Sequence, residues 1–177
     1  MRSKFSIAGH PLHAMLVVIP IGLFLWAFVS QVVFIAQDEQ LWYDISFWSA
    51  IAAVVTAVVA AAPGFGDYMT LARKSDANAI ATAHMVLNIA VILLYFVAIM
   101  LMLDNGATDG AGRGAVVALM AAGSVALLVS GWLGGEMVYR HHIGVTSDTE
   151  ELAAAEIARH EVHGAHSSAT KPASEQK

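Results

Sequence analysis

Cysteine is absent from the 177-residue chain. Its absence excludes structural disulfides, a thiolate nucleophile, iron–sulfur clusters held by cysteine, and covalently attached c-type haem. Any metal or haem in this protein must therefore be held by histidine, carboxylate, methionine or backbone groups.

Charged residues are scarce, at 13% of the chain, whereas hydrophobic residues make up 58%. A soluble domain carries about 25% charged and 45–50% apolar residues. The composition therefore predicts an integral membrane protein. The net charge of −5 is spread over loops and tail, so it gives no surface for nucleic acid.

Four apolar segments are long enough to cross a bilayer, which takes about 20 helical residues. They cover about residues 12–36, 45–62, 79–103 and 115–138. The first is too long for a signal-peptide core and is predicted to be retained. We predict an all-α, up-down-up-down four-helix membrane bundle over residues 1–146. The sequence shows no long internal repeat. Residues 147–177 are predicted to be a soluble tail with a short cytoplasmic helix, about residues 150–163, and a disordered end.

Prolines and glycines set the expected helix boundaries. Pro11 suits the first position of a helix, which makes His10 the expected cap. Pro20 lies inside the first span and is expected to kink it. Pro63 is expected to end the second span, and Gly144 is the expected stop after the fourth.

Basic residues favour one side of the predicted bundle. They follow the second and fourth spans and precede the first, whereas the other two loops together carry a single arginine. The positive-inside rule therefore puts both termini in the cytoplasm. The residues on the basic side are Arg2, Lys4, Arg73, Lys74, Arg140, Arg159, Lys171 and Lys177.

Polar residues converge at the predicted cytoplasmic ends of the spans. Five of the eight histidines lie there, and the opposite ends carry none. His13 and His84 are the deepest, on two spans that would be diagonal in the bundle, and Asn88 lies one turn beyond His84 on the same face. Ionisable residues inside a membrane usually face the bundle interior. The candidate site residues are His10, His13, Asp67, His84, Asn88, Glu136, Arg140 and His141.

Three kinds of chemistry suit this set. Haem b takes two neutral imidazoles from different helices, here His13 and His84, with further contacts from His10, Asn88, Arg140 and His141. A non-haem Zn or Fe site would use His13, His84, Asp67 and Glu136. A proton relay through histidine and carboxylate is the third alternative. Glu136 is also placed to pair with Arg140 at i+4, which would leave the histidines for another role.

A bundle without any cofactor is also consistent with the sequence. His10 would then be a helix cap, and His141 a headgroup-level residue. Gly131 and Gly135 form a G-x-x-x-G pair that favours helix association, as expected of a non-catalytic subunit or scaffold and of a homo- or hetero-oligomer. The tail histidines His160, His163 and His166 are interpreted as solvated residues.

Motifs at both ends of the spans resemble one known family. They are Gly9-His10-Pro11-Leu12-His13, Pro63-Gly64-Phe65-Gly66-Asp67, the stretch from His84 to Asn88, and Gly131-Trp132-Leu133-Gly134-Gly135-Glu136 continuing to His141. Together they resemble the bacterial membrane proteins grouped as domain of unknown function 2231.

This resemblance implies a bacterial inner-membrane protein. Members are reminiscent of small membrane cytochromes, and some are fused to Rieske-type domains. The resemblance therefore implies electron transfer, with a quinone or a Rieske-type protein as partner. Two positions depart from the pattern: Ala14 stands where many members have proline, and His142 where they have glycine.

Overall fold

The computed structural model describes residues 5–8, 10–71, 75–104, 110–143, 156–157 and 159. Within them a small antiparallel hairpin precedes a series of helices. The hairpin pairs β1 (Ser6–Ile7) with β2 (His10–Pro11). The helices are α1 (Leu12–Leu16), α2 (Val18–Gln37), α3 (Gln40–Tyr68), α4 (Asp76–Leu103) and α5 (Gly110–Tyr139).

Four helical segments in the described part of the chain are long and apolar enough to cross a membrane, with α1 and α2 forming the first. They pack in a closed ring in the order α2, α3, α4, α5 and back to α2. The predicted all-α, four-helix membrane fold is thus confirmed, and the first and third spans are diagonal as expected. The end of the bundle that carries α1, the end of α3, the start of α4 and the end of α5 is called here the histidine end.

Small residues let the four helices approach closely at the centre of the bundle. Ala27, Ala50, Ala53 and Ala98 are completely buried, whereas large apolar side chains point outward around the ring. Lipid tails are as apolar as leucine, so helices in a bilayer associate through close packing and hydrogen bonds more than through hydrophobic burial. The alanine-rich second span therefore packs closely against its neighbours, as its composition predicts.

The N-terminal segment differs from expectation, because His10 is not the helix cap. The chain folds back as the β1–β2 hairpin, in which Ile7 pairs with His10. The Leu12 amide then donates to the Phe5 carbonyl at 2.8 Å. The helix begins at Leu12 with Pro11 as its extended N-cap, so His10 is one residue too early to cap it.

Pro20 lies in the first turn of α2. Proline removes the hydrogen bond to the carbonyl four residues earlier, here that of Leu16. Between α1 and α2 the chain keeps helical geometry at Val17, with φ −63° and ψ −21°, and the Val17 amide donates to the His13 carbonyl at 3.1 Å. The two helices therefore form one span, and the kink expected at Pro20 stays a prediction.

Pro63 does not end the second span, contrary to expectation. Helix α3 continues through it to Tyr68 and begins earlier than predicted, at Gln40. A membrane helix tolerates proline where neighbouring elements satisfy the freed backbone groups, and Pro63 is buried here. The other spans also lie within longer helices, because helical hydrogen bonding continues past the apolar stretch.

Helix α5 ends at Tyr139, earlier than the stop expected at Gly144, which lies outside the described residues. The Ile143 amide donates to the Met137 carbonyl at 3.1 Å. His142 has φ 49°, in the left-handed region that favours glycine. This is the position where many members of the resembled family have glycine. Of the predicted tail helix only Glu156, Ile157 and Arg159 are described, and they are helical. The end that was predicted to be disordered lies outside the described residues.

The structure repeats one packing pattern, although no long repeat is visible in the sequence. The first hairpin (α1 to α3) and the second hairpin (α4 and α5) bury side chains at corresponding positions. Corresponding residues lie 71 apart in α2 and α4, as do Phe24 and Tyr95, and 70 apart in α3 and α5. The buried pairs are Pro20 and Val91, Phe24 and Tyr95, Ala27 and Ala98, Gln31 and Met102, Ser46 and Val116, Ala50 and Met120, Ala53 and Gly123, and Ala60 and Ser130. The two hairpins therefore share a packing pattern at these positions.

Candidate functional site

His13 and His84 come together at the histidine end. Their ring centres lie 6.4 Å apart, and the ring planes are perpendicular. One ring comes from α1 in the first hairpin and the other from α4 in the second. Both residues occupy the same position in their hairpins, 71 residues apart along the chain.

The ring of His13 is fixed against the backbone of α3. Its Nδ1 lies 2.8 Å from the carbonyl oxygen of Ala60. One helical turn further, the ring lies against Gly64, where a Cβ atom would be 2.6 Å from Nδ1 and 2.8 Å from Cε1. Any residue other than glycine at position 64 would therefore displace the imidazole.

His84 has the same arrangement in the second hairpin. Its Nδ1 lies 2.8 Å from the carbonyl oxygen of Ser130 in α5. Gly134, one turn beyond Ser130, faces the ring, where a Cβ would lie 3.5 Å from Cε1. In both hairpins the glycine lies four residues after the residue whose carbonyl accepts from the ring. The ring of His84 lies farther from its glycine than the ring of His13 does.

These hydrogen bonds decide which ring nitrogen carries the proton. A backbone carbonyl only accepts, so Nδ1 must donate in both histidines. In the neutral ring Nε2 is then unprotonated and presents a lone pair. Histidines that bind metals typically donate their other ring N–H to a backbone carbonyl in this way. Both rings are therefore in the form that can act as a ligand or as a proton acceptor.

Asn88 and Ser130 add polar contacts around His84 alone. The Asn88 amide nitrogen lies 2.7 Å from Ser130 Oγ, 2.9 Å from the His84 carbonyl oxygen and 3.1 Å from His84 Nε2. An amide nitrogen carries two N–H groups, so only two of these three acceptors can be fully bonded at once. The longest contact is to Nε2, which can be released while Asn88 keeps the other two.

The carboxylates lie in separate settings. Glu136 pairs with Arg140 at 2.8 Å, as expected from their i+4 spacing, and the Arg140 side chain is 75% exposed. Asp67 is half-buried near the end of α3, and its backbone carbonyl accepts a hydrogen bond from the Thr70 hydroxyl at 2.6 Å. Glu136 is thus engaged by a partner of its own.

The remaining predicted histidines do not join the pair through any hydrogen bond among the described residues. His10 is exposed in β2, with Nδ1 3.1 Å from the Ala8 carbonyl oxygen. His141 is half-buried beyond the end of α5. The described part of the chain also contains no group of three or more histidine or carboxylate side chains placed to hold a metal ion. The four-residue set His13, His84, Asp67 and Glu136 is thus not assembled in it.

Comparison with protein families places this site in context. The model of the family described as "Predicted membrane protein (DUF2231)" matches residues 9–147. The chain belongs to this family. The match spans all four membrane helices and both histidines of the pair. No curated protein and no solved structure matches the chain.

For this DUF2231 protein, sequence reasoning found the two histidines and Asn88 but missed the residues that hold the rings. These are Ala60, Gly64, Ser130 and Gly134, of which the first and third act mainly through backbone carbonyls. Any residue type can offer its backbone carbonyl as an acceptor, so the amino-acid type at these positions does not reveal this role. The available signal was the spacing: Gly64 and Gly134 follow their histidines at nearly the same distance along the chain.

Proposed function

We propose that this membrane protein binds one haem b between His13 and His84 and transfers electrons. The observation that carries the proposal is the paired geometry of the two imidazoles. With metal–imidazole bonds of about 2 Å, two rings on opposite sides of one metal have centres about 6 Å apart. The separation of 6.4 Å between the His13 and His84 rings is close to this value.

The donor set also fits haem b. Each ring has its Nδ1 proton held by a backbone carbonyl, at 2.8 Å in both cases, so Nε2 is the nitrogen that would bind a metal once Asn88 releases it in His84. Axial ligation by two neutral imidazoles from different helices needs no cysteine, in keeping with a chain that has none. Bound haem would supply reversible one-electron transfer through its iron.

The chain's own residues would set the conditions for that chemistry. Ala60 and Ser130 keep the two rings oriented through their carbonyl oxygens. Gly64 and Gly134 leave room for the rings beside the helix backbones. Arg140 is exposed at the same end, where its guanidinium can meet a propionate while remaining near Glu136.

The absorption spectrum tests this proposal. The protein would be purified in mild detergent from haem-replete cells and measured oxidised and reduced. We expect a Soret band that is lost in His84→Ala, lost or shifted in His13→Ala, and unchanged in His10→Ala, the matched control at the same end of the bundle. A colourless wild-type protein would refute the proposal, and a band retained by both single variants would refute the assignment of the ligands.

We further propose that both termini face the cytoplasm of a bacterial inner membrane. The support is the excess of arginine and lysine at the histidine end. Because the chain has no cysteine, single cysteines report topology cleanly. In intact spheroplasts an impermeant maleimide should label Glu39→Cys, exposed at the opposite end, and should leave Asp76→Cys unlabelled until the membrane is opened. The reverse pattern would overturn this orientation.

The redox partner we propose is a quinone or a Rieske-type iron–sulfur protein, on the resemblance to the family alone. Reduced, haem-loaded protein should be reoxidised by a soluble quinone analogue within the mixing time of a stopped-flow instrument. Unchanged spectra after addition of either partner would count against this choice.

A non-haem Zn or Fe site is the alternative cofactor proposal, since two histidine nitrogens can provide half of a tetrahedral set. Elemental analysis separates it from haem: one stoichiometric metal without a Soret band would favour it. A proton relay through the two Nε2 atoms would need neither haem nor another metal. It predicts that liposomes containing the wild-type protein take up protons and that liposomes containing His84→Ala do not.

A role as a subunit or scaffold is favoured by the open face at Gly131 and Gly135. A Cβ atom at either position would meet nothing within 4 Å. A second helix could therefore approach α5 closely there. If association is the function, Gly135→Leu should dissociate an oligomer in detergent while His13→Ala and His84→Ala leave it intact.

A further inference from the structure

We propose that the two histidines are unequal ligands: His84 stays bound, and His13 is the one that leaves, opening one side of the iron to a small uncharged molecule. The proposal rests on the haem site proposed above and concerns how that site is regulated. Its basis is the difference between two half-sites that the fold otherwise makes equivalent.

The first observation is the number of polar contacts to each ring. His13 has one, from Nδ1 to the Ala60 carbonyl. His84 has its Nδ1 2.8 Å from the Ser130 carbonyl and 2.9 Å from Ser130 Oγ, and Asn88 closes the arrangement against the same hydroxyl. Rotating His84 away from a ligand would disturb this whole network, whereas rotating His13 breaks one bond.

The second observation is where the two residues lie along their helices. His84 is inside the 28-residue helix α4, two turns after its Ser75 cap. His13 is the second residue of the first span, directly after Leu12 and the Pro11 cap. The first turn of a helix opens at lower cost than the interior of a long one.

The third observation locates the asymmetry in two positions. Four residues after each histidine stands Val17 in the first hairpin and Asn88 in the second. The residues whose carbonyl oxygens accept from the rings are Ala60 in the first hairpin and Ser130 in the second. Polar side chains inside a membrane bundle are costly and usually functional, so their presence in one half only points to unequal tasks.

The exchange itself needs no redox partner. With haem bound, the exchange would replace the Nε2 lone pair of His13 by a lone pair of the incoming molecule, and His13 would keep its Nδ1 proton. No electron is transferred, and charge is unchanged. Carbon monoxide, which binds reduced haem iron, is the probe for this opening.

Two reciprocal double variants test the proposal. Asn88→Val with Ser130→Ala gives the second half-site the side chains of the first, and Val17→Asn with Ala60→Ser does the opposite. In stopped-flow mixing of the reduced protein, we expect the second variant to bind carbon monoxide about tenfold more slowly than wild type, the effect of one added hydrogen bond. The first variant should bind it faster, because either histidine can then leave.

Equal carbon monoxide rates in wild type and both variants, with normal Soret bands, would overturn the inequality while leaving the haem proposal intact. A wild type without a Soret band would instead defeat the haem proposal. In that case, ¹⁵N-histidine spectra of the protein without haem still test the asymmetry. We expect the Nδ1–H of His84 to exchange with solvent at least tenfold more slowly than that of His13; equal rates would overturn it.

Discussion

The two hairpins of the bundle use the same framework with different side chains. Each places a histidine against a backbone carbonyl and a glycine of its partner helix, and each contributes one aromatic ring to the centre, Phe24 or Tyr95, whose ring centres lie 4.5 Å apart. At this position the second hairpin carries a polar group: the Tyr95 hydroxyl donates to the Phe24 carbonyl at 2.8 Å and contacts Ser124. The shared framework thus positions the two imidazoles, whereas side chains at a few equivalent positions make their surroundings different.

The sharpest contrast between the hairpins lies in the glycines beside the two rings. Gly64→Ala would place a Cβ 2.6 Å from His13 Nδ1, whereas Gly134→Ala would place one at an ordinary 3.5 Å from His84 Cε1. We expect Gly64→Ala to displace His13 from the Ala60 carbonyl and to lower the free energy of unfolding by about 1–3 kcal/mol. Gly134→Ala should be neutral or slightly stabilising, since alanine favours helix.

Thermal unfolding in detergent and the Soret band together measure this contrast. His13→Ala combined with Gly64→Ala serves as the control, because removing the ring should remove most of the penalty. Equal effects of Gly64→Ala and Gly134→Ala would show that the His13 ring does not lie closer to its glycine than the His84 ring does.

A smaller contrast lies deeper, where Gly123 of the second hairpin corresponds to Ala53 of the first. A Cβ at position 123 would lie 2.7 Å from Tyr95 Cε2, and Tyr95 is completely buried. Gly123→Ala should therefore destabilise the protein by about 1–2 kcal/mol through overpacking. Ala53→Gly, which only removes a methyl group and adds backbone freedom, should cost about 1 kcal/mol. Denaturation in mixed micelles compares the two, and a stabilised Gly123→Ala variant would contradict the packing.

The smallest effect is expected outside the repeated framework, at the end of α5. His142→Gly should raise the free energy of unfolding by about 1 kcal/mol, because glycine adopts the observed φ of 49° without strain. His141→Gly is the control, since no positive φ is found there, and it should not stabilise. A neutral or destabilising His142→Gly would mean that the contacts of the imidazole outweigh the backbone strain.

Much of this architecture follows from the sequence. Apolar runs longer than the bilayer thickness predict four membrane helices, because lipid offers no partner to an unpaired backbone group. The alternation of spans then brings His13 and His84 to one side, and the pairing of Glu136 with Arg140 follows from helix geometry. What failed were boundaries: Pro63 was expected to end a helix that continues to Tyr68, and His10 was expected to cap a helix that begins after Pro11.

By itself the sequence determined the class of the protein, the number of its spans and the histidines at one end, since these depend on composition and local periodicity. Only the tertiary structure decided how the imidazoles are held. Their hydrogen-bond acceptors are the backbone carbonyls of Ala60 and Ser130, which lie 47 and 46 residues from the histidines they bind. Every residue has the same backbone carbonyl, so only the packing of the helices determines which carbonyl faces a ring. The same packing gave two dissimilar hairpins equivalent positions for His13 and His84.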